Sequence, residues 1–113
     1  MQQPTSRPDE RRRLSRRRAL LKGKIVYPRN TLSTDCTIKD ISTGGARVSL
    51  GGETVSDGSY LIVVRDGVAH EATAAWRSAD QVGLKFERSF DLTAEAPLHL
   101  RDAQRIWLEL MPR

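Results

Sequence analysis

Apolar and polar positions alternate along most of this chain, with the two-residue period of strands buried on one face. Leu20 to Tyr27 predicts a first strand, ended by Pro28, which has no N–H for a sheet ladder. Beyond a polar loop (Arg29 to Thr34), Asp35 to Ile41 predicts a second strand with Cys36 and Ile38 on one face. Gly44-Gly45 marks a turn, expected at positive φ, which glycine adopts without steric cost. Ala46, Val48 and Leu50 alternate with Arg47 and Ser49 in a third strand, and Gly51-Gly52 and Asp57-Gly58 punctuate the loop that follows. Tyr60 to Arg65, Asp66-Gly67 and Val68 to Trp76 predict a hairpin with a two-residue turn. Its second arm is expected to place Val68, His70, Ala72, Ala74 and Trp76 on one face. Val82, Leu84 and Phe86 complete a sixth strand.

Near the C-terminus the period changes. Leu100, Ala103, Trp107 and Leu110 are spaced as on one face of a helix, within a segment over 97–111 that Pro112 stops and no clear capping residue starts. Trp107 is expected to pack onto the strands. Short strands separated by turn signals predict an all-β sandwich or barrel, and a barrel leaves no exposed edge. No internal repeat is visible, and a single domain is expected. Residues 1–9 read as a flexible leader and 10–113 as one domain, comprising an arm (10–18), a barrel (19–88) and the helical segment.

Composition narrows the class. With 38% hydrophobic and 29% charged residues among 113, the chain is globular, and its longest apolar run, Tyr60 to Val64, is far too short to cross a bilayer. The N-terminal residues run into arginines without an apolar signal-peptide segment, and the single Cys36 cannot form an internal disulfide. A cytoplasmic protein is expected, with Cys36 a small apolar strand residue. Charge is uneven: residues 1–24 hold nine Lys and Arg against Asp9 and Glu10, which is +7 of a total of +5 and leaves −2 for the remainder. Such a basic arm calls for an anionic partner: nucleic acid, an acidic membrane surface, a nucleotide or an acidic protein.

Catalysis finds little support. His70 and His99 lack metal-ligand spacing, and no nucleophile motif, P-loop or dinucleotide fingerprint is present. No enzyme, metal site or cofactor is expected. Asp40-Ile41-Ser42-Thr43-Gly44-Gly45 reads better as a binding turn. At the end of a strand Asp40 and Ser42 project together, with Ile41 toward the core. A carboxylate offers two acceptors to the N1–H and N2–H₂ edge of guanine, Ser42 adds a hydroxyl, and Gly45 permits close backbone approach. The same residues also suit plain backbone bonding in a glycine-rich turn. The arginines supply what the turn lacks, since guanidinium groups clamp phosphates, pair with guanine O6 and N7, and stack on bases.

At these residues the chain resembles the PilZ domain family, which pairs Arg-x-x-x-Arg with a downstream Asp/Asn-x-Ser-x-x-Gly. Here the first motif is Arg12-Arg13-Leu14-Ser15-Arg16 after Glu10-Arg11, and the second is Asp40 to Gly45, continuing Ala46-Arg47-Val48. Ala75-Trp76-Arg77 and Val82-Gly83-Leu84-Lys85-Phe86 look like the family's late strands. The resemblance covers about residues 10 to 88. It implies a six-stranded antiparallel β-barrel of split-barrel type with a C-terminal α-helix, acting as a bacterial, non-catalytic receptor for cyclic di-GMP. By the same resemblance Arg12 and Arg16 grip phosphates and stack on guanine, while Asp40, Ser42 and Gly45 contact a guanine face and edge. Arg13 and Arg17 share the four-residue spacing, and Arg11, Arg17 and Arg18 are further candidates. A downstream protein partner is expected and membrane insertion is not. Two alternatives are a nucleic-acid-binding protein using the basic arm and a PilZ-like adaptor without nucleotide binding. Against nucleic acid stand the 5% aromatic content and the lack of an obvious base-stacking platform.

Overall fold

The alternating segments form six strands that close into one antiparallel barrel in the computed structural model. The structure describes residues 17–28, 32–51, 55–94 and 97–110, with the side chains of 17–19 left aside. The leader, Pro112 and the arm arginines Arg11, Arg12, Arg13 and Arg16 lie outside the described residues. The strands are β1 (Arg17–Val26), β2 (Ser33–Ile41), β3 (Gly45–Ser49), β4 (Ser59–Val63), β5 (Val68–Ser78) and β6 (Gln81–Asp91). Around the barrel they run β1-β2-β3-β6-β5-β4, and β4 pairs back to β1. A 3₁₀ turn, Leu98–Leu100, leads into the helix α1 (Arg101–Leu110), and Pro97 before it makes no side-chain cap.

Two cores divide the apolar residues. Ile25, Ile38, Val48, Leu61, Val63 and Val82 are among those filling the barrel. Outside it, Val26, Ile62, Val64 and Leu92 pack beneath Leu100, Ala103, Ile106 and Trp107. β4 is therefore buried on both faces, which explains why Tyr60 to Val64 is an unbroken apolar run instead of an alternation. Each large side chain wholly buried this way contributes roughly 1.5–3 kcal/mol.

Four expectations are corrected. The first strand begins at Arg17, not Leu20, so Arg17 and Arg18 belong to the barrel, where they pair with Ile41 and Asp40. The loop joining β4 and β5 is four residues long, because Val63 and Val68 are the last pair. Val64 leaves the ladder to join the cluster under α1, and the N–H groups of Asp66 and Gly67 both donate to the Val63 carbonyl. On β5, His70, Ala72 and Ala74 keep the expected common face, opposite Ser89, Phe86 and Leu84, because the extra residue of the first irregularity is Glu87 on β6. A bulge at Ala75 then takes Trp76 off that face and leaves it exposed. Finally, positive φ occurs at Gly51, Gly58 and Gly67, not at Gly44 or Gly45. β6 also runs beyond residue 88, to Asp91 opposite Val68.

Cys36 is buried on β2, and loss of hydration, aided by the charge of Asp35, pushes its thiol up to about 12. It stays protonated and inert at neutral pH. The turn from β5 to β6 carries the one non-glycine positive φ among the described residues, +52° at Ala79. A side chain in this region costs about 1–2 kcal/mol, part of which glycine recovers against its larger unfolded-state entropy. Ala79→Gly is expected to stabilise the fold by about 0.5 kcal/mol. A urea midpoint below that of the unaltered protein would show that the turn is not strained.

Candidate functional site

The site grows from an irregularity in β2. Ile38 pairs with Val48 and points into the barrel, but a bulge at Lys39 shifts the register, so that Asp40 pairs with Arg47 and Ile41 with Ala46. Cross-strand partners share a face. Ile41 and Ala46 pack on the barrel core, and Asp40 turns to the outer surface although it lies two residues beyond an inward isoleucine.

On that surface Asp40 belongs to one row that crosses five strands. Arg18, Asp40, Arg47, Gly83 and Trp76 are successive ladder partners on β1, β2, β3, β6 and β5. Asp40 is almost wholly covered, its side chain only 8% accessible. Arg47 closes over it: Nε donates to Asp40 Oδ2 at 3.0 Å, Nη2 lies 3.0 Å from the same oxygen in an ion pair, and Nη1 donates to Gln81 Oε1 at 3.2 Å. Such a charge-assisted pair holds both groups in one geometry. Asp40 makes further interactions beyond this one.

Ser42, Thr43 and Gly44 form the turn into β3. The Ser42 N–H donates to the Gly45 carbonyl at 2.8 Å, Ser42 Oγ donates to the same oxygen at 3.4 Å, and the Gly44 N–H donates to Ser42 Oγ at 3.3 Å. The Phe86 N–H donates to the Gly44 carbonyl, fastening the turn to β6. Gly45 has an architectural reason of its own, because a β-carbon there would overlap the carbonyl oxygen of Leu84. The close approach the sequence suggested for a ligand is made by the neighbouring strand.

Beside the turn lies an open groove of about 360 Å³, lined among others by Ser42, Gly45, Arg47, Trp76, Gly83 and Lys85. The indole of Trp76 lies on Gly83, occupying the space of the missing side chain, yet it remains 46% exposed. A flat apolar surface therefore stands next to two cations, and the expectation that the chain lacks a stacking platform is corrected. Asp40 does not line the groove; Arg47 does. Trp76 and Arg47 are the residues that sequence reasoning passed over. Their signals were a glycine inside a strand, which marks close approach, and an arginine alternating with Ala46 and Val48.

Neither histidine joins this groove. His70 stacks on Phe86 at 4.0 Å between ring centres and bonds Ser89 Oγ through Nδ1 at 2.6 Å, and burial lowers its pKa. His99 meets the edge of Phe90 at 5.7 Å. Among the described residues no three His, Cys, Asp or Glu side chains are grouped to hold a metal ion, and no helix is long and apolar enough to cross a membrane.

A comparison with curated proteins returned no match. The family model of the PilZ domain matches residues 10–101, from the arm through the six strands to the start of α1. Domains of this family generally bind cyclic di-GMP and are typically non-catalytic. With closed barrel, terminal helix and a family match over most of its length, the chain belongs to the PilZ domain family.

Proposed function

We propose that this protein is a non-catalytic receptor for cyclic di-GMP, gripping it between the arginine arm and the surface that carries the Asp40 to Gly45 turn. The observation that carries the reading is the five-strand row. It sets Asp40, Arg47 and Trp76 in one line across the outer face, with the backbone of Arg18 paired to Asp40 at its β1 end. Arg12 and Arg16 supply the cations for two phosphates and a guanine, with Arg11, Arg13, Arg17 and Arg18 able to assist. Ser42 and Gly45 border the groove, the covered carboxylate of Asp40 holds Arg47 in its wall, and Trp76 offers an apolar face for a base. Ordering of the arm over the barrel changes the surface that a downstream protein meets.

Calorimetric titration with cyclic di-GMP tests this. Saturable binding is expected, weakened at least about tenfold by Arg16→Ala and by Asp40→Ala, and little changed by Arg7→Ala. No binding up to about 100 µM, where the free energy is only near −5.5 kcal/mol, would sink the proposal.

A further inference from the structure

Arg47 has more donors than its partners use. A guanidinium carries five N–H groups. Nε gives one to Asp40 and Nη1 gives one to Gln81, while Nη2 lies in ion-pair contact with Asp40 Oδ2, so both terminal nitrogens keep an N–H without a hydrogen-bond partner among the described residues. The group is fixed at both ends, 35% accessible, and part of the groove wall. Its ladder neighbour Gly83 has no side chain to stand between it and the indole of Trp76.

We infer that Arg47 is a specificity-determining residue, reading the O6 and N7 acceptors of a guanine that stacks on Trp76, with Asp40 and Gln81 as its positioning residues. The inference rests on the cyclic di-GMP reading above and adds a contact to it. The donors of a guanidinium can match O6 and N7, whereas adenine at the same place turns an amino donor toward them. The indole lies over Gly83 toward the strand of Arg47, and adjacent strands are about 4.8 Å apart. A base on its outer face therefore has an edge within reach of the guanidinium. A phosphate would meet the same donors but leave the apolar surface of Trp76 unused.

The test pairs a ligand change with a protein change. Affinities for cyclic di-GMP, its 7-deazaguanine analogue and cyclic di-AMP are measured on the unaltered full chain, Arg47→Ala and Arg47→Lys. Lysine keeps a cation beside Asp40 but loses the fork. The unaltered protein is expected to bind the 7-deaza analogue and cyclic di-AMP more weakly than cyclic di-GMP. Arg47→Ala is expected to weaken cyclic di-GMP binding by about 10- to 100-fold and to narrow both differences. Arg47→Lys, with a melting temperature near that of the unaltered protein, should narrow them too. Equal penalties for the analogue in all three proteins would overturn the role of Arg47 while leaving the receptor intact. Failure of the unaltered chain to bind cyclic di-GMP would overturn both.

Discussion

Gly45→Ala is expected to destabilise the barrel by more than about 3 kcal/mol, a large part of the 5–15 kcal/mol that holds a typical domain. The new β-carbon would overlap the Leu84 carbonyl oxygen. That oxygen belongs to the backbone of β6, which pairs with β3 at Ala46 and Leu84, so relief requires the two strands to part. Overpacking usually costs 1–3 kcal/mol when side chains can move aside, and here none can. Gly83→Ala provides the contrast, because its obstacle is the indole of Trp76, which can swing outward. It should cost about 1 kcal/mol and shift the tryptophan emission toward that of an exposed indole. Urea unfolding followed by circular dichroism reads both. A Gly45→Ala protein within about 1 kcal/mol of the parent would show that β3 and β6 tolerate separation. The comparison bears on function, since a loss of ligand binding in a Gly45 variant would reflect a broken sheet before a lost contact.

Trp107→Ala is expected to cost about 3–5 kcal/mol and to release α1 from the barrel. The indole is buried among Ile62, Val64, Leu92 and Leu100, and its Nε1–H donates to the Val64 carbonyl at 2.9 Å. Its ring also sits 2.7 Å from where a β-carbon on Gly67 would be, so helix and loop are shaped around one side chain. Removing it leaves a cavity and an unpaired carbonyl, and uncovers the outer face of β4. Trp107→Phe keeps most of the apolar surface and loses the hydrogen bond, at about 1–2 kcal/mol. Denaturant midpoints together with protease sensitivity of residues 97–110 measure the effect. Stability unchanged in Trp107→Ala would mean that α1 is held by other contacts.

The strands and the helix were legible because their signals are local. Alternation at Cys36 and Ile38 or at Ala46 and Val48, and helical spacing from Leu100 to Leu110, report burial residue by residue. The turn of the candidate site was legible as a cluster of Asp, Ser and Gly after a strand. Its partners were not. Arg47 is seven residues from Asp40, and Trp76 and Gly83 come 29 and 36 residues after Arg47, so only pairing of β2, β3, β6 and β5 sets them in one row.

Local sequence pattern is enough to say which segments are extended, where the period turns helical, that positive charge gathers before the first strand, and that a polar turn follows the second. Tertiary structure decided which way those strands face at the places that matter. A bulge adds one residue and exchanges the two faces of a strand, and whether it forms depends on the register of a neighbour distant in sequence. By that means Asp40 is turned outward beneath Arg47, and Trp76, expected on the same face as Ala72 and Ala74, stands exposed over Gly83.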